Sequence, residues 1–173
     1  DELHHEFIDA VFRTAPPMSA AEQKEAFESA LSGGLEDACS MAVVQAVHEQ
    51  LRERIEEHRE SKDPEPLALT AGEVGGILRS SGVPEDRVAS FQEQCGERFG
   101  ESAALNPANL IDSKRYEIKT SEATVSVDPA YSYLVETRVI DGRKYILIPV
   151  GEGVEVNGLP VGVAPPADSE EQA

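Results

Sequence analysis

The sequence predicts an α+β fold in which four or five helices come first and an antiparallel meander of five or six strands follows, one face packed on the helices. Three observations carry this. Apolar residues recur at helical spacing as far as about residue 112, and from Arg115 onward they alternate with polar ones. Two pairs, Asp141-Gly142 and Asn157-Gly158, each stand between β-branched runs. Such pairs suit the type I′ turn of a two-residue hairpin, whose central positions both need φ > 0.

Taken in order, Leu3, Phe7, Ile8, Val11 and Phe12 make one face of a helix over residues 3–14, ended by Pro16-Pro17. Ser19-Ala-Ala-Glu22 has the form of a capping box and opens a helix over residues 20–32, with Gly33-Gly34 as its stop. The longest helix follows over residues 35–60, its inner stripe being Val44, Val47, Leu51 and Ile55. Ser61 to Pro66 is a linker or sharp corner. A second capping box, Thr70-Ala-Gly-Glu73, begins a short helix, and Pro84 begins another that carries Val88, Phe91, Cys95 and Phe99. Asn106-Pro107 is a cap and first-turn proline for one last turn through Ile111.

The period then changes to two. Tyr116 and Ile118 alternate with Glu117 and Lys119, and Val125 and Val127 with Thr124 and Ser126. Leu134 to Val150 is a hairpin about Asp141-Gly142 in which Ile140 faces Arg143, Val139 faces Lys144, Thr137 faces Ile146 and Val135 faces Ile148. One face then carries Val135, Thr137, Val139, Ile146 and Ile148, and a lone hairpin is marginal in water unless such a face is covered. The preceding helices are its expected cover. Asn157-Gly158 closes a last hairpin, and Pro160 confines its final strand to an edge. The chain thus divides into a helical region (1–62), a helical hairpin with the sheet (67–163) that forms one domain with it or stands alone, and an acidic disordered tail (164–173).

The net charge of −18 is spread over every segment, so no basic arm offers itself to nucleic acid or to an anionic membrane. The second helix of the residue 70–99 hairpin carries Glu85, Asp86, Glu93 and Glu97 against Arg87 and Arg98, the wrong balance for reading DNA. Cys39 and Cys95 are too few and too far apart for a disulfide framework or a metal knuckle, and read as buried thiols of a cytoplasmic protein. Neither a signal peptide nor a run long enough to span a bilayer is visible, although the chain begins at Asp1 without Met and reads as a fragment.

Catalytic signatures are missing. His48-Glu49 would need a second histidine at position 52 to make a zinc-protease pair, and Arg52 stands there, so His48 reads as a packing residue. His4-His5-Glu6 reads as surface. No phosphate-binding glycine loop or nucleophile elbow occurs, and no cofactor is called for. The least ordinary cluster is Glu136, Arg138, Arg143 and Tyr145 on the second face of the hairpin, suited either to a surface ion pair beside an aromatic ring or to gripping a ligand carboxylate or phosphate.

The runs VHEQLRERIEEH, SSGVPEDRVASFQEQCGERFGE, NLIDSKRYEIKT, LVETRVIDGRKYILIPV and VEVNG resemble a family of intracellular Firmicutes proteins described as a domain of unknown function. The resemblance spans residues 1 to about 161, is most specific from Leu134 to Ile148, and implies a bacterial cytoplasmic protein whose N-terminal part lies outside this sequence. It assigns no activity to any residue. Three functions follow in order of preference: a non-catalytic protein-interaction or scaffold domain acting through the sheet face or the long helix, a small-molecule-binding domain or enzyme using the Glu136, Arg138, Arg143 and Tyr145 face, and nucleic-acid binding, which the charge disfavours.

Overall fold

The computed structural model describes residues 17–163. The expected helix over residues 3–14 with its His4-His5-Glu6 face, and the tail from residue 164, lie outside them. Helix α1 (Ala20–Leu35) opens with the capping box in place: Glu22 N–H donates to Ser19 Oγ at 3.2 Å, and Ser19 N–H donates to Glu22 Oε2 at 2.7 Å. The backbone bond from Ser19 holds the Glu22 carboxyl below its ordinary value.

Gly33-Gly34 does not stop this helix. It runs on to Leu35 because these glycines face α4 (Glu85–Phe99), and a Cβ on Gly34 would stand 2.6 Å from Phe91 Cα. The missing side chain is a crossing point between helices rather than a terminator. After a 3₁₀ turn (Glu36–Ala38), Ser40 caps α2 (Met41–Ser61) by accepting from Val43 N–H at 3.2 Å. The inner side of α2 is Val43, Val47, His48 and Leu51; Val44, expected inside, is exposed. Helix α3 (Ala71–Ser80) begins with the Thr70–Glu73 capping box, and the single turn α5 (Pro107–Leu110) is capped by Asn106.

The helices share one core. Phe27 of α1 meets Phe91 of α4 edge to face with centroids 6.1 Å apart, and Leu35, Leu51, Val74, Leu78, Leu105 and Leu110 are buried with them. Burying each such side chain contributes roughly 1.5–3 kcal/mol relative to leaving it in water. Leu69 and Leu105 exchange two backbone hydrogen bonds of 2.7 Å, which ties the segment after the Ser61–Pro66 corner to the one before α5.

The α+β class, with helices first and antiparallel strands after them, is as expected, but the strands do not form a meander. They make three separate hairpins: β1 (Tyr116–Lys119) with β2 (Thr124–Val127), β3 (Glu136–Ile140) with β4 (Arg143–Leu147), and β5 (Val154–Val156) with β6 (Leu159–Val161). A 3₁₀ turn (Pro129–Leu134) separates β2 from β3, and Pro149 with Gly151 and Gly153 separates β4 from β5, so successive hairpins do not continue one ladder. The β3–β4 register is the expected one, from Glu136 opposite Leu147 to Ile140 opposite Arg143. Both turn pairs adopt the left-handed conformation they need, with φ of 50° and 76° at Asp141 and Gly142 and 52° and 81° at Asn157 and Gly158.

The chain divides into two compact units, one ending at Ser132 and one beginning at Tyr133. In the second unit the covered face expected of β3–β4 is not found. Val135 is buried, but Val139 is 65% exposed, Ile148 49% and Ile146 37%, with Thr137 exposed beside them. The physical reason lies in the helices, whose apolar stripes fill one another: the described members of the core come from α1 to α5 and their connections, and none from β3 to β6.

Candidate functional site

The four residues nominated from the sequence share one face of the β3–β4 hairpin. Arg138 lies opposite Tyr145, Ile140 opposite Arg143, and Glu136 opposite Leu147. Arg138 Nη2 donates to Glu136 Oε1 at 2.6 Å, yet both side chains are more than half exposed. A pair so solvated contributes about 0–1 kcal/mol, and its charges remain available to a partner. The face also carries Ile140 and Tyr145, both about 40% exposed, so each side of the hairpin mixes apolar and charged groups. The arrangement is exposed: such a face can meet a macromolecular surface, whereas enclosing a small ligand takes concavity.

Cavities lined by described residues occur elsewhere. One of about 340 Å³ opens between α1, α2 and the start of β1, with Lys24, Val44, His48, Ile111, Arg115 and Tyr116 among its walls. His48 is positioned by α2, one turn before Arg52, and its Nε2–H donates to the Asp112 carbonyl at 2.9 Å. Its ring stands edge to face on Tyr116, centroids 5.2 Å apart. Its Nδ1 is buried and has no hydrogen-bond partner among the described residues. Burial also pushes the Tyr116 hydroxyl above its ordinary value. A second cavity of about 600 Å³ runs between α2 and α3 past Arg54 and Glu73, whose charged atoms are 3.9 Å apart.

The sequence placed His48 correctly as a packing residue on the apolar side of its helix. It gave no sign of Asp112 or Tyr116, which come from 64 and 68 residues further on and meet His48 only through the tertiary fold. No group of three metal-capable side chains occurs among the described residues. Cys39 and Cys95 are both free, and burial pushes the Cys95 thiol up to about 11, against the opposing pull of Arg98. No helix among the described residues is long and apolar enough to cross a membrane.

A family model described as "Domain of unknown function (DUF4317)" matches residues 1–159. Comparison with the curated proteins and with the solved structures gave no match.

Proposed function

Since the chain belongs to the DUF4317 family of domains of unknown function, whose description carries no activity, we infer from its physical chemistry that it is a non-catalytic protein-interaction domain acting through the β3–β4 hairpin. The observation that carries this reading is the exposure of Val139, Ile146 and Ile148 on one face of a two-stranded ribbon. Two strands alone are marginal in water, and clustered exposed apolar groups rimmed by charge are the mark of an interaction surface. Glu136, Arg138, Arg143 and Tyr145 on the other face supply directional contacts to the same partner. Two free thiols, one of them deeply buried, accord with a reducing, cytoplasmic setting, and the net charge of −18 argues against nucleic acid as the partner.

The reading is tested by affinity capture with the intact chain and with Val139→Asp/Ile148→Asp, followed by reconstitution of each retained protein in pure form. The expected result is a stoichiometric partner lost with the double variant while the far-UV circular dichroism is unchanged. Retention of every associated protein by the double variant contradicts it.

A second reading, small-molecule binding, is supported at a place other than the one nominated from the sequence. The His48 groove has the volume of a ligand pocket, and His48 and Tyr116 stand among its walls. Chemical-shift changes at His48 and Tyr116 on adding a fragment mixture, absent in His48→Ala, would favour this reading. Saturating mixtures that shift nothing there would remove it.

A further inference from the structure

We propose that the partner of the β3 edge is a second copy of this chain, joined by antiparallel pairing of β3 with β3 about a two-fold axis at Thr137. This rests on the interaction reading above and names its partner. A two-residue turn makes Ile140 and Arg143 a hydrogen-bonded pair, so Arg138 with Tyr145 and Glu136 with Leu147 also bond within the hairpin. Thr137 and Val139 fall between them, and their N–H and C=O groups point to the other side. Among the described residues no strand lies on that side, since β3 is bonded to β4 alone. All five residues of β3 are exposed, whereas β1, the comparable edge of the first unit, buries Tyr116 and half-buries Ile118.

The sequence of this edge is self-complementary. Reading outward from Thr137, the flanking strand residues are Glu136 on one side and Arg138 on the other, opposite in charge. With Thr137 on the axis, Thr137 pairs with Thr137 of the partner subunit and Glu136 with Arg138 of the partner subunit; Val135, which is buried, and Leu134, which closes the 3₁₀ turn, precede the strand and lie outside the pairing. The Thr137 pair lies on the axis and occurs once, and the Glu136–Arg138 pair occurs twice, as an isologous interface requires. Opposite charges meet in the closely spaced, non-hydrogen-bonded positions, where cross-strand pairs interact best. Moving the axis one residue to Arg138 sets Arg138 against its own copy, and like charges directly opposite are destabilising. The β4 edge has no such register, because it carries Arg143 and Lys144 and no carboxylate.

The pairing also answers the instability of the ribbon. Two hairpins joined along β3 make a four-stranded antiparallel sheet in the order β4, β3, β3, β4, with Val139 and Ile146 of both copies on the same face. Three or more strands with an apolar face are independently stable where two are not. Glu136 and Arg138 then act as register pins rather than as ligand-binding groups.

The test is sedimentation equilibrium of the full chain over a concentration series. The 18.7 kDa chain is expected to approach twice its mass. Glu136→Arg alone and Arg138→Glu alone each turn two attractive pairs into repulsive ones and weaken self-association by roughly tenfold or more, and the combined reversal restores it. Thr137→Cys cross-links to its own copy on mild oxidation, because a hydrogen-bonded pair holds its Cα atoms about 5.5 Å apart, within disulfide reach. The unaltered chain, with Cys39 and Cys95 only, does not. A mass that stays monomeric throughout overturns the self-pairing and leaves the interaction reading to its own test. A dimer indifferent to the single reversals, or a Thr137→Cys chain that fails to cross-link, overturns the register.

Discussion

Replacing Gly34 by alanine tests how the helical unit is held together. A Cβ there would lie 2.6 Å from Phe91 Cα and 2.8 Å from Phe91 N, closer than non-bonded atoms approach. Both contacts are backbone, so no rotamer change relieves them and α1 must move away from α4. Overpacking of this kind costs up to about 3 kcal/mol. Against it stands the gain of about 1 kcal/mol from alanine over glycine in a helix interior. The net is a loss of about 2 kcal/mol, which at roughly 2–4 °C per kcal/mol for a chain of this length lowers Tm by about 4–8 °C. Gly76 of α3 is the internal control, since nothing lies within 4 Å of its Cβ position. There the propensity gain stands alone, and Gly76→Ala is expected to raise Tm by about 2–4 °C. Thermal melts followed by far-UV circular dichroism measure both. If Gly34→Ala melts at or above the unaltered chain, Gly34 is no helix-crossing glycine and the packing of α1 on α4 described above is wrong.

Other outcomes follow from single groups. Ser40→Ala removes the side-chain acceptor for Val43 N–H and is expected to cost about 1 kcal/mol in denaturant unfolding, with the helical content of the folded state retained. Cys95, buried and with its thiol raised to about 11, is expected to resist alkylation at pH 8 in the folded protein and to react once denaturant is added, as mass spectrometry of the labelled peptide reads out. Glu85 accepts two hydrogen bonds from Arg79, at 2.7 and 2.8 Å, which hold its carboxyl below the ordinary value of 4.5. A lowered folded-state pKa stabilises the fold above the unfolded value and ceases to do so as pH falls through the folded one. Glu85→Gln is therefore expected to be the less stable protein at neutral pH, the difference closing in acid; a gap that persists in acid would contradict the ion pair as its source.

What could be read from the chain alone follows a physical division. Local signals carried through: the Ser19, Thr70 and Asn106 caps, the two type I′ turns and the β3–β4 register all depend on residues a few positions apart. What failed depends on distant neighbours. Gly33-Gly34 looks like a helix stop until α4, more than fifty residues later, is seen to need the space. The inner stripe of α2 is turned by one residue, from Val44 to Val43, because its partners rather than its own hydropathy select the buried side. The apolar face of the hairpin reads as a core face because such a face must be covered, but periodicity cannot say by what. For the nominated site, sequence gave the correct shared face for Glu136, Arg138, Arg143 and Tyr145, and only the structure shows how exposed that face is. The His48 groove, assembled from α1, α2 and β1, had no sequence signature at all.

The central claim is that Val139 and Ile148 form a binding surface and not a core. Denaturant unfolding of Val139→Asp/Ile148→Asp at submicromolar concentration, where self-association does not contribute, tests this most directly. Exposed positions tolerate such changes within about 0.5 kcal/mol, and that is the expected result. A loss of roughly 3 kcal/mol or more, the cost of forcing charge into a packed interior, would show the face to be buried and would contradict the account.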